Sequence, residues 1–344
     1  MMEYAIVIAV IALVVISLLT FLGKQTNTAL CGSSKGFGNI CGTFSEYSLS
    51  HTTASPRMAV IGCDNNIWFV ETASTASGGD RIGDMTVGGQ LLNEFPIPTV
   101  DSGPTDLGVG PDCNIWFSEY SAGKVGRVNA AGHFDEFSVG GGSAPCGIGA
   151  GPDGNVWAAL CFGETLDVFN PATFPAAPSL LHAYPTGAVN PSQPTAGFDK
   201  ASVWFAELGS TKLGRMDMSG GVTEFPVAPA GNHPVCLALG PDGDYWFTVT
   251  SAVNDVGKLD PGTGIATLYP VAGSSGLHAI TLGPDGAMYF GDFGNKIWRI
   301  TTTGTLTGYP NPQSGESVFG ITGGTPDHSL WYTNFLTGTI GRLS

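Results

Sequence analysis

Positive charge is what this chain has least of. Lys and Arg together number 13 against 28 Asp and Glu in 344 residues, a formal charge of -15. That balance excludes nucleic acid or an anionic membrane surface as the main partner. Charge of either sign is sparse, at 12% of residues, while 42% are hydrophobic, so a disordered polyampholyte is excluded. Also missing are a Ser/His/Asp arrangement, a glycine-rich phosphate cradle, a paired Cys-x-x-Cys and any sustained alternation of helix and strand patterns. A large helical enzyme is therefore not expected. What the chain has is 51 Gly, 23 Pro and 10% aromatic residues, the profile of a β-rich fold with many tight turns.

One apolar run interrupts that profile. Tyr4 to Leu22 is nineteen residues without a charge, which as a helix spans roughly 28 Å and suffices to cross a bilayer. Glu3 ahead of the run and Gly23-Lys24-Gln25 behind it do not suit a cleaved secretory signal, and Leu30 does not suit a lipoprotein anchor at Cys31. A plain anchor stays open, but Lys24 would then place the rest of the chain in the cytoplasm, where seven cysteines are out of character.

An acid and a tyrosine at the head of an uncharged helix, here Glu3, Tyr4, the run Ala5 to Leu22, then Gly23 and Lys24, resemble the N-terminus of type IV pilins, especially the short Flp/Tad subgroup. The resemblance implies a helix over residues 1–24 that waits in the inner membrane and then packs with identical subunits into a helical extracellular homopolymer. Glu3, Tyr4, Ala5, Ile6, Val10, Val14, Leu18 and Phe21 would make the assembly contacts. A carboxylate in such surroundings costs several kcal/mol unless paired, and a neighbouring subunit's α-amino group would pair Glu3. The acid stands third rather than fifth, and no basic leader ending in glycine precedes it.

Residues 25–42, rich in Gly, Ser, Thr and Asn, read as a linker, and a Cys31–Cys41 disulfide would stiffen it. The remainder, 43–344, is repetitive. Trp68, Trp116, Trp157, Trp204, Trp246, Tyr289 and Trp331 recur at spacings of 48, 41, 47, 42, 43 and 42 residues, the period of a propeller blade. Each repeat runs from an apolar strand through a turn such as Gly151-Pro152-Asp153-Gly154 into the strand carrying the aromatic. A third strand like Lys124-Val125-Gly126-Arg127 and a fourth like Glu136-Phe137-Ser138 follow. The last repeat lacks a fourth strand, and residues 43–49 before the first repeat supply one, so the ring is expected to close by that pairing. The fold class is all-β, a seven-bladed β-propeller preceded by a single long N-terminal hydrophobic α-helix.

Cys146 and Cys161 stand equidistant from the turn at Asp153-Gly154 and should face each other as a cross-strand disulfide. Cys63 and Cys113 fall in equivalent turns of consecutive blades, which suits an inter-blade bridge, and Cys236 is left as a small buried thiol.

Pro111 to Glu119 with Lys124 to Arg127, and Val203 to Glu207 with Lys212 to Arg215, closely resemble the repeats of the streptogramin (virginiamycin B) lyase family of propellers. The resemblance implies a metal-assisted elimination that opens a cyclic depsipeptide ester. Its site pattern, Glu-x-His, a Glu fourteen residues beyond, and a His in the preceding blade, falls here on Gly276, His278, Asp292 and His233. One acid is thus absent and one is shortened, which weakens a Mg2+ site at the channel mouth. Glu71, Glu119, Glu207 and Asp292 all stand three residues after an anchor and are expected to gather at that mouth, as a cation-holding ring or a solvated rim. The reading that follows is a pilin-like filament subunit, without enzymatic activity or cofactor, displaying its propeller for adhesion or recognition. The alternative is a membrane-anchored, metal-dependent lyase-like enzyme.

Overall fold

The computed structural model describes residues 28–30, 42–51, 54–73, 79–139, 144–171, 178–250, 254–311, 315 and 317–344. Among these, all regular structure longer than a turn is β-strand, arranged as seven antiparallel sheets. Six have four strands in sequential order. The seventh adds Gly42–Ser48 beside Thr339–Leu343, in the register Phe44↔Leu343 to Ser48↔Thr339. This closing strand matches the expected pairing. Thr28–Leu30, inside the stretch read as a linker, continues the same sheet as a fifth, outermost strand. Among the described residues no helix is long and apolar enough to cross a membrane. Residues 1–24, on which the long helix and its assembly contacts were placed, lie outside the described residues, as do Cys31 and Cys41.

Why these repeats fold as blades can be read from one of them. Pro111 and the Asp112-Cys113 pair set the first hairpin, with Cys113 at φ 58° where other blades carry glycine, and the second strand, Ile115–Glu119, is wholly buried. Trp116 faces Arg127 on the third strand, and Phe117 faces Gly126. A Cβ on Gly126 would lie 2.1 Å from the Phe117 ring, so only glycine lets the aromatic close over the neighbouring strand. The fourth strand, Phe134–Ser138, supplies Phe137, stacked 6.1 Å from Trp116, and Trp116 also meets Phe169 of the next blade at 6.2 Å. The tryptophan is thereby both a core residue of its blade and the packing contact to its neighbour. Equivalent stacks join Trp157 to Tyr184, Trp204 to Phe225 and Trp246 to Tyr269.

Two disulfides add covalent ties. Cys63–Cys113 links the first turns of blades one and two across a Cα separation of 5.6 Å, and Cys146–Cys161 crosses the first hairpin of blade three at 6.0 Å. Cys236 is free and buried.

The acids three residues after each anchor do not gather at the channel mouth. Glu71, Glu119 and Glu207 are essentially fully buried, because the second strand is screened from the axis by the first. They face the outer strands instead. Burial, reinforced by the Glu94 carboxyl and only partly opposed by Arg81, pushes Glu71 up to about 8. Burial and then Glu136, against Lys124, do the same to Glu119. The outer acids are used between blades: Glu136 accepts from the Thr99 backbone N–H at 2.9 Å and pairs with Lys124 at 3.2 Å. In blade seven the equivalent pair is Asn334 and Glu46, bonded directly at 3.2 Å.

A carboxyl raised by burial is protonated in the folded state and ionised in the unfolded one, so its stabilisation falls away as pH climbs from the ordinary carboxylate range through about 8. The melting temperature should therefore drop between about pH 5 and about pH 9, and Glu71→Gln with Glu119→Gln should flatten that slope and raise Tm at the alkaline end; calorimetry across the range checks both. Serine at both Cys63 and Cys113 opens a loop of 50 residues' separation. It should cost about 2–4 kcal/mol, seen as a Tm lowered by roughly 5 °C or more.

Candidate functional site

The innermost strands of the seven blades neighbour one another in a closed circle. Each opens in the same way. Its first or second residue pairs with the residue three beyond the aromatic anchor, as in Pro56↔Glu71, Pro104↔Glu119, Pro234↔Val249 and Leu277↔Asp292, and a register shift follows. In five of the blades that residue is proline, which has no N–H to donate. In six blades the bulge frees the next residue from the ladder, while in the fourth the next residue, Ser192, still pairs with Ala206 and the shift follows it; in all seven that side chain turns to the axis. Those next residues are Arg57, Thr105, Cys146, Ser192, Val235, His278 and Phe319. All seven line a single cavity of about 170 Å³. Asp106, Gln193 and Cys236, one residue further on, lie deeper in its wall, and Tyr120 and Leu208 overhang it from the loops after the second strands.

Two groups there are tuned by burial. Asp106 accepts the Leu107 and Ile148 backbone N–H groups, each at 2.9 Å. Desolvation outweighs those bonds and pushes its carboxyl up to about 7. A carboxyl that titrates near neutrality in a cavity is suited to moving a proton. Burial drives His278 down to about 4, although its bond with the Phe319 backbone holds it back, so its ring is neutral at pH 7. That ring lies 3.8 Å from the Phe319 ring and 5.8 Å from Phe293, with Nδ1 3.9 Å from Cys236 Sγ. Cys236 is held as the thiol, its ionisation opposed first by burial and then by Asp106.

Of the three catalytic candidates proposed from sequence, His278, Asp292 and His233, only His278 lines the cavity. Asp292 is fully buried and its oxygens are taken: Oδ1 accepts from Ser275 N at 2.8 Å and Gly294 N at 2.7 Å, and Oδ2 from Trp298 Nε1 at 2.9 Å. It clamps its own loop. Gly276, at the position of the missing acid, has φ +140°, and a Cβ there would sit 3.1 Å from the Phe293 ring, so a side chain there would strain the backbone and crowd Phe293. His233 Nδ1 lies 3.0 Å from the Ser210 carbonyl oxygen and does not line the cavity. Cys236, not His233, is the partner that the preceding blade brings to His278. Magnesium requires several oxygen ligands, and among the described residues no cluster of three metal-ligating side chains exists. The residues present do not fit that ion.

Sequence reasoning missed Arg57 and Asp106. Each follows a strand-opening proline by one or two residues, and that offset is the only local signal. Neither belongs to the repeated motif.

Comparison with known proteins places this geometry. The chain matches the Virginiamycin B lyase family over residues 33–227 and again over 140–344, as expected of a repeating fold. Virginiamycin B lyase of Nocardia farcinica is 29% identical over 141 residues, which is 41% of this chain and 47% of that protein, so the chain spans about half the length of this curated relative. A streptogramin B lyase structure is 27% identical with a TM-score of 0.77, covering 88% of this chain and 97% of that one. A catalytically inactive virginiamycin B lyase from Staphylococcus aureus, solved with quinupristin, is 24% identical at the same TM-score and coverage of 88% and 98%, and supports the fold alone. These likenesses to enzymes overturn the expectation of a chain without enzymatic activity. The chain belongs to the virginiamycin B lyase family.

Proposed function

We propose that this protein is a lyase that opens a cyclic ester by elimination in the axial cavity. The observation that carries the reading is the meeting, in a family of lyases, of His278 and Asp106 in one cavity lined by all seven blades. Asp106 takes the proton from the carbon adjacent to the ester-bearing carbon. The C–H electrons form the new double bond, the C–O bond breaks, and its electron pair leaves with the carboxylate. Neutral His278, fixed between Phe319 and Cys236, presents its ring to the substrate as part of the cavity wall and positions it there. This differs from the metal-dependent form inferred from sequence, because no step uses Asp292 or a cation. The apolar residues 4–22 would hold such an enzyme at a membrane. The filament reading rested on residues 1–24 and gains no support from the family match, which begins at residue 33.

The test uses the purified chain with quinupristin as probe. Elimination opens the ring at unchanged mass and creates an alkene, whereas hydrolysis adds the mass of one water, and mass spectrometry separates the two. Asp106→Asn and His278→Ala should each lower the rate by about 100-fold or more, the wild-type rate should rise through about pH 7, and a chelator should leave it unchanged. Absence of ring opening by the folded wild type would overturn the reading.

A further inference from the structure

The chain has six arginines, and four of them are held in ion pairs at the blade turns: Arg127, Arg215, Arg299 and Arg342. Arg57 is different. It lines the axial cavity, and among the described residues no carboxylate pairs with it. Asp80, the acid whose charge acts on it most, is already engaged: it accepts the Ala73 N–H at 2.9 Å, the Gly103 N–H at 2.8 Å and the Ser102 hydroxyl at 3.2 Å. One side of the guanidinium is fixed. Nε donates to Thr72 Oγ1 at 3.1 Å, and the Thr72 hydroxyl in turn donates to the Pro104 carbonyl at 2.9 Å. The group lies over the rings of Phe319 and Phe335 at 5.3 and 5.1 Å, and those rings continue the row that runs through His278 and Phe293.

A half-buried cation without a counter-ion is costly unless something of opposite charge visits it. The Thr72 bond and the flat aromatic support orient the two terminal nitrogens as a pair, the geometry that matches both oxygens of a carboxylate. The neighbouring ring faces offer stacking area for an aromatic group on the same molecule. We infer that Arg57 is the recognition site for a carboxylate, and that the ligand of the axial cavity is an aromatic-bearing carboxylic acid, bound with its acid on Arg57 and its ring on the Phe293–Phe319–Phe335 row. The inference rests on the axial cavity being the ligand site, as in the proposed function, and reaches beyond it by assigning a charge and a group to what binds.

The experiment compares two near-isosteric probes, phenylacetate and phenylacetamide, titrated into the full chain and followed by ligand-observed NMR and calorimetry. Phenylacetate should bind at least tenfold more tightly than the amide. Arg57→Gln should abolish that preference while the melting temperature stays within a few degrees of the wild type. Arg57→Lys, which keeps the charge and loses the paired geometry, should retain only part of it and serves as the deciding variant if the glutamine form does not fold. Equal binding of the two probes, no binding of the acid at millimolar concentration, or a preference that survives in the folded variants would each overturn the inference. None of these readouts uses turnover. A lyase that opens quinupristin but ignores the probe charge would sink the carboxylate site alone, and carboxylate binding without ring opening would sink the lyase reading alone.

Discussion

The fold depends on the aspartate of the first turn, which meets the aromatic anchor in blades one, two, three, five and six, and on what it must satisfy. A buried indole N–H needs an acceptor, and Asp112, Asp153 and Asp242 accept the N–H of Trp116, Trp157 and Trp246 at 3.0 to 3.1 Å. The same carboxylate holds the cation that faces the aromatic from the third strand: Arg127 on Asp112 at 3.3 Å, Lys258 on Asp242 at 3.3 Å, Arg299 on Asp285 at 2.6 Å. One acid thereby fixes a turn, a tryptophan rotamer and the register of two strands. Where the third strand has no cation, as at Val168 opposite Trp157, the indole bond alone remains. Blade six replaces the indole by Tyr289, whose hydroxyl donates to Asp285. The interaction tolerates exchange of its parts so long as a donor meets that carboxylate.

This arrangement also decides where charge is left over. Basic residues are few, and most are taken up at the turns or against outer-strand acids, as Lys124 and Lys212 are against Glu136 and Glu224. The axis of the propeller therefore receives one arginine, Arg57, and one histidine kept neutral by burial. A cavity so poor in charge is a setting in which a single guanidinium or a single carboxyl such as Asp106 sets the local potential. The divalent-ion site suggested by the family pattern has no counterpart in that economy of charge. Phe293 lies over Gly276 and Asp292 is consumed by three donors, so the place of an oxygen cage is occupied by rings.

The architecture was legible in sequence because it is periodic. Seven aromatic anchors, the turn motif and the absent last strand sufficed to place the blades and the closing pair at Gly42–Ser48. The equivalence of turns brought Cys63 to Cys113, and symmetry about Asp153-Gly154 brought Cys146 to Cys161. The site was less legible for the opposite reason. Their shared position three residues after an anchor led Glu71, Glu119 and Glu207 to be read as facing the mouth, yet they sit on second strands and are buried. The residues that do reach the axis owe their direction to a bulge, and a bulge shifts parity by one residue. Arg57, Thr105, Cys146, Ser192, Val235, His278 and Phe319 share no side-chain type. Only their common pairing offset reveals them as a ring, and that offset is a property of the folded ladder.

The overall charge of -15 bears on how such a cavity can recognise an acid. At long range an anion is repelled, and the repulsion fades beyond about 8 Å at physiological ionic strength. At contact the balance reverses. A half-buried guanidinium with two oriented donors interacts through a medium of low effective dielectric, where salt screens little. Moderate salt therefore weakens the barrier to approach more than it weakens the final pair. Recognition in this channel follows from local desolvation of Arg57 and from the aromatic row beside it, so that an acid lacking a group to stack there forgoes the contribution of the rings.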